Sequence, residues 1–302
     1  MKRLARDEFI NTLDPGTPPR LVIDSGEEVL AETWDAFMGT WSKGQDRDIL
    51  GPVAGPIAVR GAKPGDALKV ELLDIRPVDL APGRSAVHNT SSAHGFLKHE
   101  FTDHNPIVLQ IRDGNVHFPG GIEIPLNPSV GFIATTFTEP RRTTSDSGPY
   151  GGDIDMKELT AGSTIWLPVF VPEAMLCLGD VHAVVGDGCV GGTAAECSGE
   201  VRFRVSLEKN AGLQRPRALT RDHLITVCYG ENVGEAMRQA VRDMVDYLVK
   251  VKGMDAYEAY ALLSLAGDVR INRTFRPISP VKMMLSRKVL DQMRTRQREL
   301  AS

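Results

Sequence analysis

Asp180, His182 and Asp187 fall within one short segment, Gly179-Asp-Val-His-Ala-Val-Val-Gly-Asp-Gly188, and Glu196 follows in Thr193-Ala-Ala-Glu196. Apolar runs flank this cluster, Ile165-Trp-Leu-Pro-Val-Phe-Val171 before it and Val201-Arg-Phe-Arg-Val205 after it. A strand sends residues i and i+2 to one face, so Asp180 and His182 are expected to point together into one pocket. Carboxylate oxygens and an imidazole meeting at one point are what a divalent metal such as zinc requires. The plain alternative is a polar hairpin with a salt-bridged histidine, because short motif fragments often match by chance.

The surroundings favour chemistry. Gly151-Gly-Asp-Ile-Asp-Met-Lys-Glu-Leu-Thr-Ala-Gly-Ser-Thr164 comes first, then Leu167-Pro-Val-Phe-Val-Pro172, then the Asp/His/Asp/Glu segment. In order and spacing they resemble the acetamidase/formamidase family. Its members carry a Gly-Gly-Asn/Asp-x-Asp-x-Lys element, a Leu-x-Ala-Gly-Ser turn, a Leu-Pro-Val-x-Val-Pro strand and a Gly-Asp-x-His-Ala-x-x-Gly-Asp-Gly loop ending in Thr-Ala-x-Glu. Gly55-Pro-Ile-Ala-Val-Arg-Gly-Ala-Lys-Pro-Gly-Asp66 and Ala256-Tyr-Glu-Ala-Tyr-Ala-Leu-Leu-Ser264 are similar to an early segment and a late helix of that family. The likeness is dense between Gly151 and Glu196 and looser elsewhere.

What the resemblance implies is hydrolysis of a small carboxamide to ammonia and a carboxylate by a homo-oligomer. Such a reaction needs an activated water or other nucleophile, a polarised carbonyl and a proton for the leaving amine. Zinc would supply the first two, and an unliganded carboxylate the third. The metal candidates are Asp180, His182 and Glu196, with Asp155 as a fourth. Asp155, Glu196 and Asp187 are the catalytic candidates, Asp187 also being a ligand in reserve. A catalytic zinc usually keeps three protein ligands, and the sequence does not say which carboxylate is left as general base. Against this, Asp155 and Lys157 lie near a Gly-Gly turn where Asp commonly caps amides, and Asp187 sits in a Gly-Asp-Gly turn signal. Lys157, His88 and His94 are weaker candidates for contact with substrate, the two histidines lying in a polar loop of the kind the family places over its pocket.

Two departures from the family pattern stand out. Cys189 occupies a position where many members have Glu; a small apolar core residue is the expected role, with thiolate ligand or nucleophile as alternatives. The segment Thr136-Phe-Thr-Glu-Pro-Arg-Arg-Thr-Thr-Ser145 replaces a glycine- and proline-rich loop, and its Arg141 and Arg142 either bind a substrate carboxylate or are solvated. His99, His104, His117 and His223 receive no role. No Gly-x-Ser-x-Gly nucleophile elbow occurs; Ser163 has no histidine near it in sequence, and Cys177 lies in an apolar run where burial would raise its pKa. A metal route is therefore preferred to a covalent one. The alternatives kept open are a non-catalytic small-molecule or metal-binding protein on the same scaffold, and hydrolysis of another C–N bond such as a carbamate or amidine.

The chain must also supply a frame for these residues. At 302 residues, 42% apolar and 25% charged, it has the composition of a globular protein. A net charge of −4 gives no reason to expect nucleic acid or an anionic membrane as partner. No apolar run approaches the roughly 20 residues of a membrane span, and the basic start Met1-Lys-Arg is not followed by a signal-peptide apolar region. Four cysteines without Cys-x-x-Cys spacing suggest a reduced, cytoplasmic protein.

Up to about residue 220 short Val/Ile/Leu-rich runs alternate with Gly and Pro, which predicts a mainly β chain with a jelly-roll or β-sandwich-like core. Residues 201–207 alternate cleanly and predict a half-solvated antiparallel strand. Beyond 220, Asn232 and Asp255 read as N-caps of two helices, the first running to about Val251 and the second stopping at Gly267. A strand over 269–275 and a charged tail, either a solvated helix or a disordered end, follow. The expected organisation is a β-rich core over 1–220 carrying the pocket, with a small α/β lobe over 221–302 packed on it.

Overall fold

Alternation in the sequence becomes alternation of environment. In the strand Glu196–Glu208, Val201, Phe203 and Val205 are fully buried, whereas Arg202, Arg204 and Ser206 are only half-buried. The computed structural model describes residues 1–39, 51–78, 84–88, 95–101, 106–138, 140–274 and 279–299. In it this strand lies antiparallel between Glu28–Thr33 and Ala67–Val78. The sheet continues through Thr164–Pro168 and Arg217–Leu219 to His223–Cys228, Val281–Ser286 and Gly267–Ile271, each pair antiparallel. A second layer is built on Leu176–His182, which pairs along one edge with Ser129–Ala134. Its other edge is shared between Val53–Val59 and the first residues of Glu196–Glu208.

The long strand therefore begins in one layer and ends in the other, a corner of the kind that joins packed sheets. Ile57, Leu68, Leu72, Val130, Ile133, Ile165, Leu178, Val181, Val201 and Phe203 belong to one buried apolar cluster between the layers. The mainly β, sandwich-like fold expected from the sequence is what forms. His182 and Glu196 face each other directly across the corner, as a paired register.

Three helices follow the β-rich part. α1 spans Val233–Lys252, opened by Asn232, whose side chain accepts from the Glu235 amide (3.0 Å), and closed by Gly253 at φ 70°. Ala236, Ala240, Met244, Val245 and Leu248 form its buried stripe, while Met237 is exposed. α2 spans Ala256–Ala266 behind an Asp255 cap that accepts from Tyr257 and Glu258, and ends at Gly267. The charged tail is helical, as α3 over Arg287–Glu299. The strand expected over 269–275 is Gly267–Ile271, ending earlier. Among the described residues no helix is long and apolar enough to cross a membrane.

The boundary expected near residue 220 falls inside a continuous sheet, since Arg217–Leu219 bonds to Thr164–Pro168 on one side and His223–Cys228 on the other. Side chains cross the same junction. Lys282, fully buried on Val281–Ser286, reaches Glu158 Oε2 and Asp187 Oδ1, both at 2.6 Å. Removing one partner of such a pair strands the other charges away from water. Lys282→Met is expected to cost about 3 kcal/mol, the low end for a broken buried pair because Asp187 keeps other cations. A urea midpoint lower by that amount at constant m would show it; a change under about 1 kcal/mol would mean the pair is screened.

Candidate active site

Four side chains from three stretches of chain converge at the corner. His182 Nε2 lies 3.3 Å from Asp180 Oδ2, 3.5 Å from Glu196 Oε1 and 3.8 Å from Asp155 Oδ1. His182, Glu196 and Asp155 are buried and Asp180 is half-buried. Ligand atoms of Asp155, Asp180 and His182 all fall within 4.8 Å of one another. The cavity above them is narrow and lined largely by small residues: Ala36, Gly51, Val53, Thr144, Ser145, Gly192 and Thr193, with Asp153 and Cys189.

Local backbone conformation produces this convergence. Asp180 and His182 do meet, but not through regular pleating, because Asp180 adopts φ 56° inside its strand. Asp155 (φ 51°) and Cys189 (φ 40°) are also left-handed. For non-glycine residues this geometry costs of order 1–3 kcal/mol and tends to cluster where function needs it. Opposite Asp180 stands Gly131, in the strand Ser129–Ala134; a Cβ there would sit 2.5 Å from His182 Cε1 and 2.6 Å from Asp180 Oδ2. The Gly131 carbonyl accepts from the amides of both Ile154 and Asp155 (2.9 and 3.0 Å), which fixes the Asp155 turn against the same strand.

Burial and crowding separate the titrating groups. Burial raises Glu196 well above the usual carboxylate range, against the attraction of His182. Asp155 is also raised by burial. Burial pushes Asp180 the same way, but His182 outweighs it and the net shift is downward. Burial opposes a charge on His182, yet Glu196 and Asp180 hold it well above its ordinary value. The cluster thus attracts positive charge strongly. One Glu196 oxygen accepts from the Ala194 amide at 2.8 Å, which orients the carboxylate.

The donor set fits a divalent cation. Among the described residues the buried His182 Nδ1 has no hydrogen-bond partner, and the 3.5 and 3.8 Å separations at Nε2 are too long for good hydrogen bonds. Zinc–nitrogen and zinc–oxygen bonds of roughly 2.0–2.2 Å place tetrahedral donors about 3.3–3.6 Å apart, close to the observed spacing.

Not every expected residue is here. Asp187 does not line the cavity. It is held by Lys157 (2.7 Å), Lys282 (2.6 Å) and Arg270 (3.5 Å), so its carboxylate is committed to cations outside the pocket. Lys157, expected near substrate, is taken up by the same cluster. His88 ends the strand Arg84–His88, its side chain lying outside the described residues, as does all of His94. Cys189 lines the cavity and its thiol hydrogen-bonds Asp155; burial keeps that thiol neutral, which suits neither a thiolate ligand nor a nucleophile. Ser163 is engaged by its own turn, donating to Thr160 O at 2.7 Å. Arg141 pairs with Asp14 at the surface.

Gly131 and Arg273 are not among the residues expected from the sequence, although a glycine inside an apolar strand signals close backbone approach. Arg273 follows a strand that gave no hint of burial, yet its side chain is 1% exposed and paired with Asp153.

The profile of the Acetamidase/Formamidase family matches residues 2–140 and 133–276. The chain belongs to that family, and is an amidase acting on the C–N bond of amides. The formamidase of Methylophilus methylotrophus is 25% identical, over 85% of this chain and 82% of its own. The acetamidase of Mycolicibacterium smegmatis is 29% identical over 68% of each. The crystal structure of an acetamidase from Bacillus halodurans superposes with a TM-score of 0.90 at 29% identity, covering 96% of this chain and 99% of that one.

Proposed function

We propose that the protein is a metal-assisted amidase of a small carboxamide of the formamide or acetamide kind, releasing ammonia and the carboxylate. The observation that carries this reading is the convergence of Asp155, Asp180 and Glu196 on His182 in a narrow buried cavity. Asp155, Asp180 and His182 would hold the ion, three protein ligands being the usual complement of a catalytic zinc. A bound zinc would acidify a water and polarise the amide carbonyl.

The chain's own residues divide the remaining work. Asp180, held below its usual range, stays anionic and suits cation binding. Glu196, raised by burial, can hold a proton and deliver it to the leaving nitrogen. Carboxyl groups driven apart in this way are the signature of divided acid and base roles. The Ala194 amide keeps the Glu196 carboxyl aimed. The small lining residues suit a small acyl group.

Elemental analysis paired with ammonia release tests the reading. About one equivalent of zinc per chain and ammonia release from formamide or acetamide that stops on chelation are expected. Metal-loaded protein that releases no ammonia from short amides would overturn it. A pH series adds a sign. His182 and Asp155, two of the three residues that would hold the ion, have folded-state pKa values above their unfolded ones. Their contribution to the metal-free protein is present at low pH and is lost as pH rises through the folded values. Metal binding displaces those protons, so the rise in Tm on adding zinc should be larger at pH 8 than at pH 6.

A further inference from the structure

The helix α2 is apolar on the side that faces away from the protein. Its inner face is Ala259 and Leu263, both buried. Its outer face is Tyr257, Tyr260, Ala261, Ser264 and Leu265, which follow the i, i+3, i+4, i+7, i+8 spacing of a single helical stripe. Tyr257 is 80% exposed, Tyr260 59% and Leu265 87%. One large apolar side chain in water is ordinary, but three on one stripe mark a surface that associates.

The chain passes from this helix directly into the strand Gly267–Ile271. Among the described residues that strand pairs only with Val281–Ser286, so its other edge presents backbone donors and acceptors to solvent. Val269 is exposed and lies opposite Met283, on the face of the sheet that α1 and α2 cover. Asp268 and Arg270 point to the other face. They pair with each other at 3.4 Å, and Arg270 also reaches Asp187 at 3.5 Å. Both contacts are long and partly solvated, and pairs of that kind hold weakly.

We propose that this strand edge and the outer face of α2 bind a second copy of the chain, the two Gly267–Ile271 strands pairing antiparallel about a two-fold axis at Val269. What commits the surface to a second copy is that the strand complements itself. Pairing centred on Val269 sets Asp268 of each copy opposite Arg270 of the other, on one face of the joined sheet. On the other face the two Val269 side chains meet, next to the two α2 stripes. Moving the axis by one residue, to Asp268 or to Arg270, would set like charges directly opposite each other, which destabilises a strand pair. Charge therefore selects the register. A contact of this isologous kind closes at two copies instead of growing into a fibre. The inference is independent of the metal reading of the site.

The test is the oligomeric state of the full chain, measured by sedimentation velocity over a dilution series. Wild type should be a dimer that dissociates on dilution. Asp268→Arg and Arg270→Asp each place two like-charge pairs in the interface, and each should weaken self-association on the order of a hundredfold. Mixed in equal amounts, the two variants are complementary again, and a mixed dimer of near-wild-type affinity is expected. Leu265→Glu, at an exposed position that leaves the core intact, should weaken association on the order of tenfold.

If Arg270→Asp does not fold, having lost its contact with Asp187, Asp268→Arg and Leu265→Glu carry the test. Wild type that is monomeric throughout the series would overturn the proposal. So would an assembly that neither Asp268→Arg nor Leu265→Glu loosens, since the contact would then lie on another surface. Two folded variants that stay apart when mixed would overturn the pairing about Val269.

Discussion

Glu196→Gln should abolish amide hydrolysis while leaving the metal in place, whereas His182→Gln should lose both. The two residues face each other across one antiparallel pair and lie 3.5 Å apart, so proximity alone would not separate their roles. Their surroundings do. Glu196 is raised well above the carboxylate range by burial, and Gln keeps its shape while removing the transferable proton. A fall in kcat on the order of 10³-fold is expected from losing a proton carrier at a site that still binds its ion. His182 contributes the sole nitrogen of the Asp155, Asp180 and His182 set. Gln in its place lacks an imidazole lone pair and takes the imidazole away from two buried acidic groups, Asp155 and Glu196, and from half-buried Asp180. Zinc content by elemental analysis, next to ammonia release, distinguishes the two variants. Full zinc occupancy in His182→Gln would remove it from the ligand set, and activity within tenfold of wild type in Glu196→Gln would end its assignment as proton carrier.

Gly131→Ala should be nearly as damaging, although it removes no functional group. The added methyl would fall 2.5 Å from His182 Cε1, 2.6 Å from Asp180 Oδ2 and 2.8 Å from the Asp180 carbonyl oxygen. One of these atoms belongs to the backbone, so the clash cannot be relieved by a rotamer change alone. The strands Ser129–Ala134 and Leu176–His182 would have to part where Asp180 already holds φ 56°. Overpacking of this kind costs roughly 1–3 kcal/mol. A displacement near 1 Å of catalytic groups costs about 10²-fold in rate. Activity should therefore fall far more than stability. Ammonia release and a urea melt on the same preparation measure both; unchanged activity would show that the two strands tolerate separation here.

Lys282, Asp187 and Lys157 illustrate the opposite case, in which charged residues beside the site act on stability. Asp187 reads as a plausible member of the cluster because it stands five residues beyond His182 in a motif-like segment. Three cations from separate parts of the fold claim it instead. Linear proximity fixes neither the direction of a side chain nor the charges that will surround it.

Much of this protein is determined locally, and so is legible in its sequence. The alternation of residues 201–207, the Asn232 and Asp255 caps and the stop at Gly267 each depend on a few neighbouring residues, and each forms as expected. The segment from Gly151 to Glu196 likewise names Asp155, Asp180, His182 and Glu196, because residue type and spacing are written along the chain. What the tertiary structure decides is which groups share one small, poorly solvated volume. Asp180 reaches His182 through a left-handed kink opposite Gly131, and Arg273 comes from the end of the chain to take up Asp153. Desolvation then divides Glu196 from Asp180, moving two carboxyl groups in opposite directions. Those effects depend on distance and burial, and both arise only when strands far apart in sequence are packed together.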